Sequence, residues 1–409
     1  MSLKTKSGRS WGRLGMTSKM LSEITSVITK GTTPTSVGCS FSKNGINYIK
    51  SESITSSRTL DKSKYAFISE ETHQKLKRSQ IKENDILFSM AGMFLGKTGI
   101  VQADDVPANT NQAVAIIRIV PEQANYLYVY YYLNQKNIVT WINSLSGQSA
   151  QPNINLKQIG EIEIPLPDRI IQDTIVEMLS AIDSRIELNT AINENLHQLI
   201  AAYYAEIFKE CEHTAKISDY ADRVFSGGTP TTSNESYWSG EFKWLSSGET
   251  SQKYIVDTEK TITQAGVDNS STRLAKKYDT VIASAGQGHT RGQTSMLLTD
   301  TYINQSIIVV ESERIYMPFI YWNICGRYEE LRVISNSNSI RGSLTTKMIS
   351  AFTSPKADIT QISRFSELAW AAIHEIEKNC NEIARLAALR DTLLPKLMNG
   401  EIDVSAVQI

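Results

Sequence analysis

The sequence predicts a mixed α/β (α+β) protein: two duplicated globular domains, with a long helix after each. Three observations point there. A stretch of polar-loop and strand signals recurs some 190 residues later. Each copy closes in a long heptad-patterned segment. Strand-like apolar runs fall in the same order in both copies. Thus Gly31-Thr-Thr-Pro34-Thr35 returns as Gly227-Gly-Thr-Pro230-Thr231, and Tyr48-Ile49-Lys50-Ser51 as Trp244-Leu245-Ser246-Ser247. Asp85–Phe88 matches Asp279–Ile282, Asn111-Gln112 matches Asn304-Gln305, and Pro165 matches Pro355. A period this long marks a duplicated domain rather than a solenoid.

In chain order, residues 1–20 read as a leader or N-terminal extension. The first globular domain spans 21–167, with strands predicted at Ile46–Ile49, Asp85–Ser89, Gly99–Val101 and Ala113–Val120. A first long helix occupies 168–212. The second domain, 213–355, carries strands at Lys243–Ser246, Thr280–Ala283 and Ser306–Val310. A second long helix fills 356–400, and 401–409 form a C-terminal tail. In each domain an aromatic segment at helical spacing, Tyr126–Leu133 and Met317–Trp322, reads as core.

The long helices have a narrow apolar seam. Ile175, Leu179, Ile182, Ile186, Asn189, Asn193, Leu196, Ile200, Tyr203 and Ile207 step by fours and threes, the a/d pattern of a coiled coil. Phe365, Ala369, Ala372, Ile376, Asn379, Ile383, Leu386, Arg390, Leu393 and Leu397 repeat it. Such a stripe suits a helical partner, so the two helices are expected to pair with each other in preference to packing singly on their domains. Ile186, Asn189 and Leu196 should face that partner, as should Ile376, Asn379 and Leu386. A seam Asn fixes register, because its amide must find a hydrogen bond. At 1.5 Å per residue such a helix is on the order of 65 Å long. Pro395 should distort the last turn and Gly400 cap it.

Bulk composition excludes several classes. No apolar run approaches the roughly 18 residues of a membrane span, and the four cysteines lack zinc or disulfide spacing. A reducing cytoplasm is the expected setting. The net charge of −1 hides an uneven distribution. Residues 21–160 hold 14 Lys+Arg against 10 Asp+Glu, residues 168–212 hold 3 against 9, and residues 213–354 hold 14 of each. The acid sits in the first long helix and the first domain is mildly basic.

Ala91-Gly-Met-Phe-Leu-Gly96-Lys97-Thr98 meets the relaxed phosphate-loop pattern. A true phosphate loop opens a helix, whereas a strand and a turn are predicted after this one, so a nucleotide hydrolase stays only as a minor alternative. Its counterpart, Ser284–Gly292, keeps glycines and carries Gln287, His289 and Arg291. Both domains also place a Ser/Asn/Gln loop before their last strand, with Gln148 and Gln151 in the first and Asn338 and Arg341 in the second. Side chains of these types reach base edges and phosphates. Candidate nucleic-acid contacts therefore include these and Lys97. Thr32, Thr33, Lys50, Asn111 and Gln112 join them, as do Gly228, Thr229, Ser246, Ser247, Asn304 and Gln305. No catalytic constellation and no metal or cofactor site is found, which reads as a binder rather than an enzyme. A two-module adaptor for protein or RNA on a helical spacer is the rival from another class.

The phrases Gly227–Trp238, Trp244–Glu249, Asn111-Gln112 and Asn304-Gln305, placed in order ahead of the long helices, and Leu393–Ile402 at the close of the second, resemble the specificity subunit of type I restriction–modification systems over residues 21–404. The resemblance implies two target recognition domains separated by two long antiparallel coiled-coil helices with intramolecular pseudo-two-fold symmetry. Each domain would read half of a bipartite target in double-stranded DNA. The helices would set the spacer and dock two methyltransferase subunits, with restriction subunits joining the full complex. The first copy departs from the pattern: Thr32 replaces the second glycine, and the Tyr-Trp phrase is missing.

Overall fold

The computed structural model describes residues 17–55, 57–92, 95–145, 153–286, 288–336 and 342–404. The chain divides into two units: Met1–Ser184 with Leu386–Ile409, and Arg185–Arg385. Each unit therefore takes one end of each long helix.

In the first unit, Val-Ala-Ile-Ile-Arg-Ile at Val114–Ile119 is rich in β-branched residues and forms the inner strand of an antiparallel sheet. The order is Thr25–Lys30, Val114–Ile119, Ile86–Ser89, Thr98–Ile100. The two-residue period of a strand sends its side chains to separate cores. Ala115 and Ile117 join a core with the helix Tyr126–Leu133. Val114 and Ile116 face Ile49, Ile81 and Ala108 of a second, five-stranded sheet. That sheet runs Phe41–Ser42, Ala66–Ile68, Ile46–Ile49, Ala108–Thr110, Gln80–Ile81, with the last-but-two and last-but-one strands parallel. Thr17–Met20, inside the segment read from sequence as leader, pairs with Glu163–Leu166.

The second unit repeats this plan. Its first sheet runs Arg223–Ser226, Ile307–Glu311, Thr280–Ala283, Thr294–Leu297, Tyr254–Ile255. The second runs Lys260–Ile262, Trp238–Leu245, Thr301–Ile303, Arg273–Ala275, again with one parallel pair, Trp244 opposite Tyr302. Ile308 and Val310 face the helical core, and Ile307 and Val309 face the other sheet. The aromatic segments of both units lie in helices whose side chains are mostly buried.

The long helices span Arg169–Phe208 and Ile359–Met398. Asp358 caps the second, its Oδ1 accepting from the N–H groups of Thr360 at 2.8 Å and Gln361 at 2.9 Å. Gly400, at φ +68°, terminates it just past Pro395. Within each unit the helices run antiparallel. In the first, Arg390 Nη1 donates to Asp183 Oδ1 at 2.9 Å. In the second, Arg185 and Asn189 both bond Glu382, and Tyr203 stacks on Phe365.

The expected choice between helix pairing and domain packing was too sharp. Ile175 and Leu179 are buried together with Leu394, Leu397 and Met398 and with the first unit's sheet. Ile200 and Phe208 share a core with Phe365, Ala369, Ile376 and the helix Met317–Cys325. The seam ends thus serve a three-way core, while Ile186, Leu196, Ile383 and Leu386 are only half-buried. No helix among the described residues is long and apolar enough to cross a membrane.

Candidate nucleic-acid interface

The glycine-threonine loops and the Asn-Gln pairs, far apart in sequence, meet in each unit. Gly31 runs so close to Thr110 that a Cβ there would lie 2.0 Å from its carbonyl oxygen, and Gly227 meets Ile303 in the same way at 2.1 Å. Only glycine permits this approach. The next N–H then donates to that same carbonyl: Thr32 to Thr110 at 3.0 Å and Gly228 to Ile303 at 3.1 Å. One residue on, the Thr33 hydroxyl donates to Gln112 Oε1, and the Thr229 hydroxyl to Gln305 Oε1. The same latch is built twice.

The Asn of each pair turns inward. Asn111 Oδ1 accepts the Ala113 N–H at 3.1 Å and Asn304 Oδ1 the Ser306 N–H at 2.9 Å, local Asx bonds that shape the entry to the inner strand. Gln112 and Gln305 remain exposed. Beneath the loop lies an aromatic from the parallel strand pair. The Tyr48 hydroxyl donates to Thr32 O at 3.0 Å, and Trp244 Nε1 to Gly228 O at 3.4 Å.

The departure at Thr32 has a steric reason. A Cβ at Gly228 would lie 2.0 Å from Ser271 Oγ. In the first unit Arg78, which aligns with Thr272 next to Ser271, reaches Thr32 Oγ1 with its Nη2 at 3.3 Å. Small pairs with small in one repeat, and hydroxyl with guanidinium in the other. Arg78 is exposed beside the latch, and sequence reasoning missed it. Its place just ahead of an aligned strand, opposite Thr272 of the other repeat, was the available signal.

Two aromatics beside the latch, Phe41 and Trp238, were not among the candidate contacts. Phe41, 42% exposed, stands edge-on to Tyr48 at 5.2 Å, and Lys50 Nζ lies 5.6 Å from its ring centre. Trp238 stands edge-on to Trp244 at 5.0 Å, with Lys260 Nζ 5.6 Å from its ring centre. Lys50 also meets Glu52 at 3.5 Å.

The other candidates stand in different settings. Ser246 donates to Glu249 Oε1 at 3.0 Å inside a turn, and the Ser247 carbonyl accepts the Thr250 hydroxyl at 2.7 Å. Lys97 directly precedes Thr98–Ile100, which returns antiparallel to Ile86–Ser89, so among the described residues a strand and not a helix follows it. That geometry differs from a phosphate loop, in which the Lys-Thr pair opens a helix. Lys97 instead lines a cavity of about 460 Å³ with Tyr131, Asn134, Asp183 and Arg390. In the second unit Arg291 folds back onto Gly342 O and Asn336 Oδ1, and His289 is exposed while its carbonyl accepts the Tyr328 hydroxyl at 2.8 Å. Arg291 therefore fastens its loop. Gln148, Gln151, Gln287, Asn338 and Arg341 lie outside the described residues.

Electrostatics separate the repeats at one buried position. Asp85 receives a bidentate bond from Arg118, Nε and Nη2 each at 2.7 Å. The aligned Asp279 faces Glu311 in place of an arginine. Burial, with Glu311 adding to it, pushes the Asp279 carboxyl up to about 7. Glu311 is itself held below the usual carboxylate range despite its own burial, by Lys276 and Arg223. His197, stacked on Trp322 and bonded to the Tyr254 hydroxyl at 2.9 Å, is pushed down to about 4 by burial.

Comparison with known proteins agrees with this architecture. The family model "Type I restriction modification DNA specificity domain" matches residues 14–198. The EcoR124I/EcoR124II specificity subunit of Escherichia coli is 26% identical over 251 residues, 57% of this chain and 62% of that one. The EcoBI specificity subunit of the same species is 35% identical over 144 residues, 33% of this chain and 30% of that one. These alignments span less than two thirds of either relative. The crystal structure of a type I restriction–modification S subunit from M. genitalium has the same fold, with a TM-score of 0.57 at 16% identity, covering 97% of this chain and 99% of the other. With its domain duplicated and a long helix closing each copy, the chain is similar in sequence and in fold to type I restriction–modification specificity subunits.

Proposed function

We propose that each repeat reads one half of a bipartite double-stranded DNA target, and that the chain is the non-catalytic recognition subunit of a larger enzyme. The observation that carries this is the duplicated latch, which presents Thr33–Gln112 and Thr229–Gln305 in the same setting in both units. Thr32, Lys50, Arg78 and Gln112 supply the first reading surface, and Thr229, Lys260 and Gln305 the second. Hydroxyl, amide and cationic groups of this kind contact base edges and phosphates. The basic balance of residues 21–160 favours the backbone of DNA on the first repeat.

The paired helices set the unread spacer and dock two methyltransferase subunits, with restriction subunits completing the complex. Two equivalent apolar residues support this docking: Leu199 is 59% exposed and Leu389 45% exposed, 190 positions apart on matching faces. The chain needs no cofactor of its own and works in the cytoplasm, where its target is.

The test is to co-express the chain with the methyltransferase subunits of its system and sequence the modified DNA. A split motif with two defined halves is expected, and exchanging residues 213–355 for those of another such subunit should change one half only. Binding that ignores DNA sequence would instead favour a protein or RNA adaptor.

A further inference from the structure

We propose that the aromatic–lysine pairs, Phe41 with Lys50 and Trp238 with Lys260, are base-contacting elements of the two repeats. The ring meets a thymine methyl in the major groove, and the ammonium takes a neighbouring phosphate. This rests on the reading of the chain as a DNA-recognition subunit and adds two residues that reading did not contain, Phe41 and Trp238.

The two pairs occupy the same place. Phe41 lies opposite Ile68 on the outer strand of the second sheet, and Trp238 lies opposite the aligned Ile262. Both rings stand nearly perpendicular to a buried aromatic, at 80° against Tyr48 and 87° against Trp244. Tyr48 is fully buried and Trp244 is 4% exposed. Each inner ring is thus core, and it fixes the outer one in position. Each inner ring also hydrogen-bonds the latch loop, and Trp238 Nε1 adds a bond to Thr231 O at 3.3 Å. The outer rings are therefore tied to the elements already assigned to DNA.

The lysines come from different strands. Lys50 follows Ile46–Ile49, the strand that carries Tyr48, whereas Lys260 opens Lys260–Ile262 on the neighbouring strand. Descent from one ancestral lysine does not explain them, yet both cations sit 5.6 Å from a ring centre. The same chemistry was reached separately in each repeat. A single exposed aromatic means little. An aromatic held rigid, topped by a cation and duplicated beside a polar loop fits an apolar base contact flanked by a phosphate contact. In the major groove the thymine C5 methyl is the apolar group on a base edge. Phe in one repeat and Trp in the other place different ring areas against the duplex, as two unlike half-sites require.

The test uses the chain assembled with its methyltransferase subunits and its own target, first mapped by sequencing modified DNA. Each thymine of each half-site is replaced in turn by uracil, which lacks the methyl. In the unaltered assembly one replacement per half-site should weaken binding by roughly fivefold or more. Trp238→Ala should abolish that sensitivity in one half-site only, and Phe41→Ala in the other. Lys50→Gln and Lys260→Gln should weaken binding to all sequences and lower the salt slope by about one phosphate contact. Should an alanine variant fail to assemble, Phe41→Leu and Trp238→Leu take its place. The uracil scan of the unaltered assembly also stands without any variant. Absence of a methyl-sensitive thymine in either half-site, or sensitivity that survives in the ring variants, overturns the proposal. Absence of any sequence-specific binding by the unaltered assembly overturns the DNA-recognition reading itself.

Discussion

The Asn379 side-chain amide donates to Asn193 Oδ1 at 2.9 Å in the buried seam between the long helices. The repeat does not reproduce this bond. The position matching Asn379 is Asn189, but the position matching Asn193 is Ile383. Asn189 donates instead to Glu382 Oε2 at 3.0 Å, and its own Oδ1 is buried without a partner. One seam amide is satisfied and its twin is half-satisfied.

Opposite outcomes are expected from the same substitution at these two sites. Asn379→Leu strands the Asn193 acceptor and should cost about 1–3 kcal/mol. Asn189→Leu removes an orphan acceptor along with one hydrogen bond and should be close to neutral. Thermal unfolding of the two variants compares them directly; equal losses would refute the asymmetry. Neither change should alter which DNA sequence is read.

The latch hydroxyls can be removed without changing shape. Thr229→Val should lower stability by no more than about 1 kcal/mol, since the bond is exposed at one end. It should weaken recognition of one half-site and spare the other, and Thr33→Val should do the reverse. Binding to targets mutated in one half at a time distinguishes this from a uniform loss.

Arg291 positions its loop through two acceptors, Gly342 O and Asn336 Oδ1. Arg291→Lys should fail to restore the melting temperature lost in Arg291→Ala, because a point-like ammonium cannot span both acceptors as the planar guanidinium does. Full rescue by lysine would show that charge alone matters there.

Asp279 makes stability depend on pH in a stated direction. Its folded pKa, about 7, lies above the ordinary value of 3.8. Between these values the unfolded chain gives up its proton first, so stability falls as pH rises from about 4 to 7 and is level above. Asp279→Asn should flatten that slope and raise the melting temperature at pH 8. His197 acts at the acid end, where its depressed folded pKa makes stability fall as pH drops from about 6.5 towards 4. A melting temperature of Asp279→Asn that tracks the parent chain from pH 5 to 8 would discount the Asp279 assignment.

Much of the architecture was legible in the chain itself. The β-branched runs at Val114–Ile119 and Ile307–Glu311, the glycine-free helix and the seam at 175–207 and its repeat are local patterns, and local periods report local structure. Gly400 and the loop glycines Gly31 and Gly227 were also visible, because few other residues fit those backbones. The sites depended on contacts between distant residues. Thr33 meets Gln112 across 79 positions, and Arg78 reaches Thr32 across 46. Nothing in the sequence spacing shows that Asn111 and Arg291 turn inward while Phe41 and Trp238 stay out. Side-chain direction is set by which strand lies beside which, and that pairing is decided by burial of the whole sheet. The tertiary structure likewise decided that Asn379 pairs with Asn193 rather than with its own twin. Antiparallel helices bring together residues whose numbers run in opposite directions, whereas the repeat relates residues whose numbers run together.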